Sequence, residues 1–347
     1  MRPNDILKIL EQEFHSTQHN QHTPVMIWGA PGVGKSQLVA QIADKNKVPV
    51  IDIRLSQIEP SDLRGIPFRD QDTVTWAIPD ILPNEKRHGE TGILFLDEIN
   101  AAAPSISAAA YQLILDRKLG NYTLPHGWAI FAAGNRQGDK GVTYNMPTPL
   151  ANRFSHFELE THLDDWVEWA YANHIDERII AFLRFKPELL FNYDPSNSSH
   201  AFPTPRSWEF AHRALFKFEK NTMLLLGALQ ACVGSSAGVE AHAFVQHYKS
   251  LPNIDAIVNG TLLDVPEKID LQYAVASALV GRAIKEKGNP NFGELLNHIL
   301  NYASQFSQRE MGIMLVSDLC RVIGEPVFQA EKFNDWATLI ADLVLYD

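Results

Sequence analysis

The octapeptide GAPGVGKS at residues 29–36 lies between an apolar run, VMIW at 25–28, and a helical pattern, KSQLVAQIADKN at 35–46. It matches G-x-x-x-x-G-K-[S/T], in which glycines let backbone N–H groups turn toward phosphate while the following helix adds a partial positive charge. Strand, loop and helix occur in the order that a phosphate-binding loop requires. The stretch therefore predicts binding of ATP or GTP.

Every residue of this loop is a candidate nucleotide ligand, and two side chains have defined roles. Lys35 is expected to bridge the β- and γ-phosphates, and the Ser36 hydroxyl is expected to bind Mg²⁺. The competing interpretation is a glycine-rich turn with a solvated lysine, which the flanking strand and helix disfavour. The predicted cofactor-binding residues of the loop are Gly29, Ala30, Pro31, Gly32, Val33, Gly34, Lys35 and Ser36.

Two adjacent carboxylates follow the apolar stretch GILFL at 92–96. Asp97 and Glu98 come at the C-terminal end of a predicted buried strand, where ligands bind in open α/β sheets. In a chain with a phosphate-binding loop, the pair predicts that Asp97 holds Mg²⁺ through its water shell and that Glu98 acts as general base on the attacking water. Acidic residues also occur at strand ends without a catalytic role, so the catalytic interpretation of the pair depends on the presence of the phosphate-binding loop.

Short apolar runs alternate with helical patterns between residues 25 and 160, which predicts an α/β fold with a mostly parallel sheet covered by helices. Helices are predicted at 35–46 and 104–116. Two connections, 65–79 and 118–128, alternate around polar turn residues and predict β-hairpins inserted into this framework. The five predicted strands are 25–28, 48–53, 92–97, 128–133 and 154–159.

The pattern changes near residue 161. Apolar residues recur at helical spacing over 164–185 and 207–234 with no clear strand, which predicts a mainly helical second half. The stretch between them is rich in Pro, Ser and Asn and predicts a loop. We divide the chain into an α/β nucleotide-binding domain at 1–160, a helical segment at 161–250 and a helical C-terminal extension at 251–347.

Composition narrows the setting and the partners. The chain has 347 residues and a formal net charge of -11, which argues against a broad basic surface for nucleic acid or anionic membrane. Cys232 and Cys320 form no CxxC pair, so a disulfide framework or zinc site is not indicated and a cytoplasmic location is expected. The N-terminal residues read as an amphipathic helix rather than a signal peptide, and no apolar run is long enough for membrane insertion.

Four motifs together resemble one superfamily. The motifs at 29–36 and 97–100, with WAIFAAGN at 128–135 and PLANRF at 149–154, occur in the order and spacing of AAA+ ATPases. Within that superfamily the chain resembles the MoxR group, over roughly residues 5–240. Many NTPases share the first two motifs, whereas the AAGN and ANRF segments and the two hairpins are typical of MoxR-like proteins. The resemblance implies a P-loop NTPase (AAA+) fold with hairpin insertions, a helical lid and a helical extension.

The resemblance also implies catalytic roles. Asn135 would be the sensor that orients the lytic water, although an Asn after a strand is commonly a turn former. Arg153 would be an arginine finger that reaches the γ-phosphate of a neighbouring subunit, with Arg136 as the competing candidate for phosphate contact. Arg206 would be the second sensor, in the lid at 161–250. A cation at the start of a helix is repelled by the positive end of the helix dipole, and a bound phosphate would relieve that repulsion. An exposed arginine without a phosphate partner is also tolerated at that position.

The two hairpins resemble insertions that line the central pore or upper face of such rings. They lie around Phe68 and Trp76 and around Asn121 to His126. Aromatic residues at a hairpin tip would grip a substrate polypeptide. Cross-strand packing explains Trp76 and Trp128 equally well, so both interpretations stay open.

These implications combine into one expected function with ATP and Mg²⁺ as cofactors. The chain is expected to hydrolyse ATP with Mg²⁺ as part of a homo-oligomeric ring, which is expected to be a hexamer. The ring is expected to remodel or activate a protein partner, and a von Willebrand A domain protein is the expected partner. Two alternatives remain: a DNA-directed motor of restriction or translocase type, which the net charge disfavours, and a nucleotide-gated assembly scaffold. The scaffold is disfavoured by the complete set of Glu98, Asn135 and Arg153.

Overall fold

The computed structural model of the chain describes residues 1–136, 138–139, 144–194 and 199–337. The last ten residues of the predicted C-terminal extension, 338–347, thus lie outside the described residues. The chain folds into two compact units, the first comprising Met1–His162 and the second beginning at Leu163. Each unit has its own hydrophobic core.

The first unit alternates strands and helices, as the sequence predicts. All five predicted sheet strands are confirmed to within two residues at each end, and the helices predicted at 35–46 and 104–116 have the predicted bounds. In chain order the elements are α1 (Pro3–Ser16), β1 (Val25–Trp28), α2 (Lys35–Asn46), β2 (Val50–Arg54), α3 (Pro60–Arg64), β3 (Ile66–Asp70), β4 (Thr73–Ala77), α4 (Glu85–His88), β5 (Thr91–Asp97), α5 (Pro104–Asp116), β6 (Lys118–Leu119), β7 (Tyr122–Thr123), β8 (Gly127–Gly134), α6 (Thr148–Ala151) and β9 (Ser155–Glu158).

A parallel five-stranded sheet in the order β2-β5-β8-β1-β9 forms the centre of this unit. Its middle strands are apolar throughout because helices cover both faces of a parallel sheet. The chain leaves β1 toward one side of the sheet and returns to pair β9 on the other, so the strand order reverses at β1. Ligands bind at such a switch point, beyond the carboxyl ends of the strands.

Two antiparallel hairpins interrupt the α/β framework, as predicted. In the first, β3 pairs with β4 from Ile66 opposite Ala77 to Asp70 opposite Thr73. The second, β6 with β7, is shorter than predicted and ends at Thr123. The prediction that residues up to Trp128 belong to it is wrong, because the segment from Gly127 onward pairs in parallel with β5 as the start of β8.

The two tryptophans near the hairpins differ in burial. Trp128 is fully buried, and its indole Nε1 donates to the Gly89 carbonyl at 3.1 Å, so it is a core residue. Trp76 is half-buried and lies over Gly120 in the turn of the second hairpin. The exposed apolar side chains of the first hairpin are instead Ile66, Phe68 and Val74, with 68%, 51% and 64% of their surface exposed.

A buried histidine connects the N-terminal segment to the sheet. The side chain of His22 is 4% exposed; its Nε2 accepts from the Ile130 N–H at 2.8 Å and its Nδ1 lies 3.1 Å from the Glu13 carbonyl. Since Nε2 must accept, the ring is neutral with its proton on Nδ1. Burial is the largest cause that lowers the pKa of His22 below its usual value of 6.5.

We expect this histidine to make the first unit acid-sensitive. Below pH 6.5 the unfolded chain binds a proton at His22 that the folded chain excludes, so the free energy of unfolding falls as pH decreases. His22→Leu should cost about 1–3 kcal/mol at pH 7.5 by leaving the Ile130 N–H unpaired. Urea unfolding should show that the difference in free energy of unfolding between wild type and His22→Leu narrows from pH 7.5 to pH 5.5, because only the wild type loses stability from this histidine. The control His19→Leu alters an exposed side chain; a constant His22→Leu difference across this range would contradict the assignment.

The second unit is helical over its described residues, as predicted. None of its helices, nor any in the first unit's described part, is long and apolar enough to cross a membrane. In chain order they are α7 (Leu163–Ala172), α8 (Glu177–Phe185), α9 (Pro205–Phe218), α10 (Thr222–Val233), α11 (Ser235–His247), α12 (Ile254–Val258), α13 (Ile269–Glu286), α14 (Phe292–Ala303), α15 (Arg309–Ile323) and α16 (Glu325–Phe328).

One hydrophobic core unites these helices and includes residues on both sides of position 250. A buried ion cluster lies within it: Arg184 of α8 pairs with Asp164 of α7 and with Asp318 of α15. Burial raises the pKa of Asp318, and the positive charge of Arg184 opposes that shift. Removal of one charge would strand its partner inside the core, so this cluster fixes α8 against α15.

Candidate nucleotide-binding site

The predicted phosphate-binding loop connects β1 to α2 at the switch point of the sheet. Gly32 and Gly34 have φ values of 80° and 105°, a left-handed conformation that side chains with a Cβ rarely adopt. Gly34 is also the residue before the first turn of α2. The free N–H groups of that turn and the positive end of the helix dipole together favour an anion beside the loop.

Lys35 joins the loop to the end of β8. Its Nζ donates to the carbonyl oxygens of Gly29 and Ala30, at 2.6 and 3.1 Å, and to Oδ1 of Asn135 at 3.0 Å. The predicted phosphate ligand and the predicted sensor, which are one hundred residues apart, therefore meet. Their contact places a cation and an amide on the same side of the loop.

Ser36 and Asp97 also meet: the Ser36 hydroxyl donates to Oδ2 of Asp97 at 3.1 Å. A hydroxyl and a carboxylate oxygen at this separation are the ligand types that Mg²⁺ prefers, and Mg²⁺ in nucleotide sites usually keeps several waters besides. The two residues therefore fit the predicted metal role. Among the described residues, no group of three or more His, Cys, Asp or Glu side chains is arranged to hold a metal.

Glu98 is held in a specific orientation. Its φ is 54°, an uncommon value for a residue other than glycine, and its N–H donates to Oδ1 of Asp97 at 2.9 Å. Its carboxylate accepts a hydrogen bond from the Ser56 hydroxyl. Such backbone strain is found where a side chain must be aimed. Ser56, in the segment after β2, is a contact that sequence reasoning missed.

A third carboxylate lies near Asp97 and Glu98. The pKa of Asp52, on β2, is raised, first by burial and then by the negative charge of Asp97. Arg54 opposes this shift. The carboxyl ends of β2 and β5 thus carry a concentrated negative charge that favours a bound cation. The sequence signal was an acidic residue inside the apolar run VPVIDI.

Asn135 follows β8 and is fixed by a residue that sequence reasoning did not single out. Asn100 is 6% exposed; its Nδ2 donates to the Asn135 carbonyl at 2.8 Å, and its Oδ1 accepts the Asn135 N–H at 3.2 Å. The fit is tight, since a Cβ on Gly134 would lie 2.6 Å from that Oδ1. This two-way pairing holds the backbone while the Asn135 amide reaches Lys35.

Arg153 and its competitor Arg136 have different surroundings. Arg136 donates its N–H to Asp139 at 3.1 Å, and its Nε lies 3.7 Å from the same carboxylate, so this guanidinium already has an acidic partner. Arg153 is exposed in the turn after α6 and forms no ion pair within the described part of the chain. Of the two, Arg153 is the one whose guanidinium is available to a further anion.

A family model matches the part of the chain that carries this site. Residues 24–154 match the AAA domain family of the dynein-related subfamily. The fold is that of an AAA+ P-loop NTPase. The matched range includes the loop, the Asp97–Glu98 pair, Asn135 and Arg153.

Individual relatives are distant. Midasin of Giardia intestinalis is 26% identical over 158 residues, which are 43% of this chain, and the chain spans 3% of that protein's length. Among solved structures, the RuvB Holliday junction branch migration motor of Thermotoga maritima is 15% identical with a TM-score of 0.37, over 80% of each chain. NtrX of Brucella abortus in complex with ADP is 13% identical with a TM-score of 0.34, over 96% of this chain and 68% of that one. At these TM-scores the solved structures add nothing to the fold assignment.

Arg206 belongs to the helical unit that follows this AAA+ core. It is the second residue of α9, after Pro205, and the Thr204 side chain caps the helix by accepting from the Ser207 N–H at 3.0 Å. Its side chain is exposed at the positive end of the helix dipole. The helix start is therefore as predicted, and its contact with nucleotide stays a prediction.

The Asn100 pairing gives a testable prediction for this AAA+ site. Asn100→Asp keeps the side chain's size and its acceptor for the Asn135 N–H, but it sets a carboxylate oxygen against the Asn135 carbonyl. If Asn135 has the predicted sensor role, its displacement by about 1 Å can cost about 10²-fold in rate, so kcat should fall by up to that factor while the Kd for ADP changes little. Single-turnover hydrolysis and ADP titration measure the two.

A matched control is Asn84→Asp, which alters another Asn in the same unit that caps α4 by accepting from the Lys86 N–H. It should leave kcat unchanged. If Asn100→Asp hydrolysed ATP at the wild-type rate, the pairing would have no role in positioning Asn135.

Proposed function

We propose that this chain is a Mg²⁺-dependent ATPase of the MoxR type, which acts as a ring to remodel or activate a partner protein. The observation that supports it most is the convergence of four separately predicted residues through two contacts, Lys35 with Asn135 and Ser36 with Asp97. Chance placement of a glycine-rich turn would not bring these partners together. The contacts join the loop after β1 to the ends of β5 and β8.

In this proposal the loop N–H groups and Lys35 bind the β- and γ-phosphates. Ser36 and Asp97 hold Mg²⁺, which neutralises charge on the phosphate oxygens when bound. Glu98 accepts the proton of the attacking water, and the Asn135 amide orients that water. The Ser56 hydroxyl holds the Glu98 carboxylate.

The ring part of the proposal depends on Arg153. An exposed arginine on the AAA+ core, with no ion pair to any residue that the structure describes, suits a γ-phosphate bound by a neighbouring copy. We propose a hexameric ring in which Arg153 completes each neighbour's site. Arg206, in the helical unit that we propose as the lid, serves as the second sensor.

The proposed client is a protein, with a von Willebrand A domain partner as the specific expectation from MoxR resemblance. The exposed apolar side chains Ile66, Phe68 and Val74 suit contact with polypeptide rather than with a phosphate backbone. The net charge of -11 likewise disfavours the DNA-motor alternative. We propose a reducing cytoplasm as the setting, which suits the free cysteines Cys232 and Cys320.

The test is Mg²⁺-dependent ATP turnover as a function of protein concentration. If sites are completed between subunits, turnover per subunit should rise with concentration and then level off, and Lys35→Ala should lack activity throughout. Turnover per subunit that stays constant across a concentration range in which the chain passes from monomer to oligomer would contradict the shared site. Added duplex DNA should not stimulate turnover; a salt-sensitive stimulation would support the motor alternative instead.

A further inference from the structure

A second network of side chains begins beside the phosphate-binding loop. Trp28 is the last residue of β1 and directly precedes Gly29. Its indole Nε1 donates to Nδ1 of His156 on β9 at 3.0 Å, and the two ring planes are within 13° of parallel. On the other side of the imidazole, Nε2 of His156 lies 2.8 Å from the Ala151 carbonyl oxygen.

These contacts fix the proton of His156. An indole N–H can only donate, so Nδ1 of His156 must accept. The ring proton therefore sits on Nε2 and is donated to the Ala151 carbonyl. His156 is exposed, and each of its ring nitrogens has one hydrogen-bond partner, so the imidazole connects Trp28 to the end of α6.

The Ala151 carbonyl closes the turn that carries Arg153. It accepts the Phe154 N–H at 3.2 Å in addition to the His156 contact, so Asn152 and Arg153 lie in a four-residue turn whose first carbonyl is held twice. The Arg153 N–H itself donates to Leu150 at 2.9 Å. The base of the Arg153 side chain is therefore fixed, while its guanidinium remains exposed.

We infer that Trp28 and His156 are positioning residues for Arg153, and that they connect each subunit's own phosphate loop to the arginine it presents to its neighbour. The inference rests on the proposed function, in which Arg153 acts on another subunit's nucleotide. Neither residue touches nucleotide in this account. A shift of Gly29 on nucleotide binding would move Trp28, then His156, then the Ala151 carbonyl and the Arg153 turn.

Three variants separate the hydrogen bonds from packing. His156→Leu fills a similar volume without polar atoms, Trp28→Phe keeps an aromatic ring but lacks the N–H donor, and His156→Gln supplies one acceptor and one donor. The first two should reduce kcat by about tenfold to 10²-fold, the size expected for misplacement of a catalytic group. Their Kd for ATP should stay near the wild-type value because the loop is intact. His156→Gln should recover much of the lost kcat.

Mixed rings provide a readout that a local folding defect would not give. Glu98→Gln subunits lack the general base but retain Arg153 and its turn, so they should complete the active sites of His156→Leu subunits. An active interface needs a His156→Leu subunit, which has the intact Glu98, next to a Glu98→Gln subunit, which has the intact arginine turn. If subunits assemble at random around a closed ring, about a quarter of the interfaces in an equal mixture have this arrangement. ATP turnover of the mixture should exceed the mean of the two variants alone.

An Arg153→Ala mixture with Glu98→Gln separates the possible failures. If both mixtures gain activity, the positioning role is supported. If only the Arg153→Ala mixture gains activity, the shared site stands and the role of His156 is overturned. If neither gains activity, the proposed function itself fails. A His156→Leu protein with wild-type kcat, or a His156→Gln protein as impaired as His156→Leu, would also overturn the inference.

Discussion

Replacement of Arg153 by alanine is expected to reduce ATP turnover by about 10³- to 10⁵-fold, the contribution typical of an arginine finger. The reason is electrostatic: charge develops on the γ-phosphate oxygens in the transition state, and a guanidinium placed there stabilises it most at that moment. ATP binding should change much less, because the loop and Lys35 belong to the subunit that binds the nucleotide. The loss should thus appear in kcat rather than in Kd.

Arg153→Lys makes this prediction sharper. It keeps the positive charge but loses the planar fork that donates two parallel hydrogen bonds to phosphate oxygens, so its turnover should fall between wild type and Arg153→Ala. Arg87→Ala is the matched control, since Arg87 is another exposed arginine of the first unit. It should retain full activity.

The measurement is steady-state ATP hydrolysis at saturating nucleotide, with oligomeric state recorded by light scattering at the same concentration. A variant that assembles normally but does not turn over locates the defect in the chemistry. If Arg153→Ala turned over ATP as fast as wild type, Arg153 would not be the finger. Arg136 would then need the same test, although its pairing with Asp139 makes it the weaker candidate.

The parts of this molecule that the sequence alone predicts are those encoded locally. The loop at 29–36 needs glycines at particular φ values and a helix directly after it, and both requirements are visible within a dozen residues. The three central strands are equally readable, because burial on both faces makes β1, β5 and β8 largely apolar runs. Asp97 and Glu98 could be placed at the same edge of the sheet as the phosphate-binding loop, because the carboxyl ends of parallel strands meet at one edge.

The parts that could not be predicted depend on contacts between distant segments. Ser56 and Asn100 are ordinary polar residues in sequence, and only the packing of the segments after β2 and β5 brings them to Glu98 and Asn135. The contact of His156 with Trp28 spans 128 residues. No local sequence pattern predicts such contacts, because a hydrogen bond requires a donor and an acceptor to lie close together in space, and the sequence does not show which distant residues do so.

Trp128 illustrates a different limit. The sequence predicts it both as the last residue of the hairpin 118–128 and as the first residue of the strand 128–133, with substrate contact and packing as open alternatives. The sheet register instead assigns it to β8, opposite Gly92, where the absence of a side chain makes room for the indole. Its pairing partner Gly92 comes 36 positions earlier in the chain and cannot be read from alternation alone, because alternation does not say which strand lies alongside.

Glu98→Gln is expected to retain ATP binding and to lose about 10²- to 10⁴-fold in hydrolysis, the range for removal of a general base. The amide can accept the Ser56 hydrogen bond in the same place, so the side chain should keep its orientation. It cannot take a proton from the attacking water. The variant should therefore hold ATP·Mg²⁺ without turnover, which single-turnover hydrolysis and equilibrium ATP titration would measure together.

Glu85→Gln is the matched control, because it makes the same charge change at an exposed position of α4 in the same unit. Ser56→Ala tests the orientation separately: it leaves the carboxylate in place but removes its partner, so a changed kcat would show that the held position matters. A Glu98→Gln protein that hydrolyses ATP like Glu85→Gln would mean that another group accepts the proton. Asp52 would then be the first to examine, since burial and then the negative charge of the neighbouring Asp97 raise its pKa.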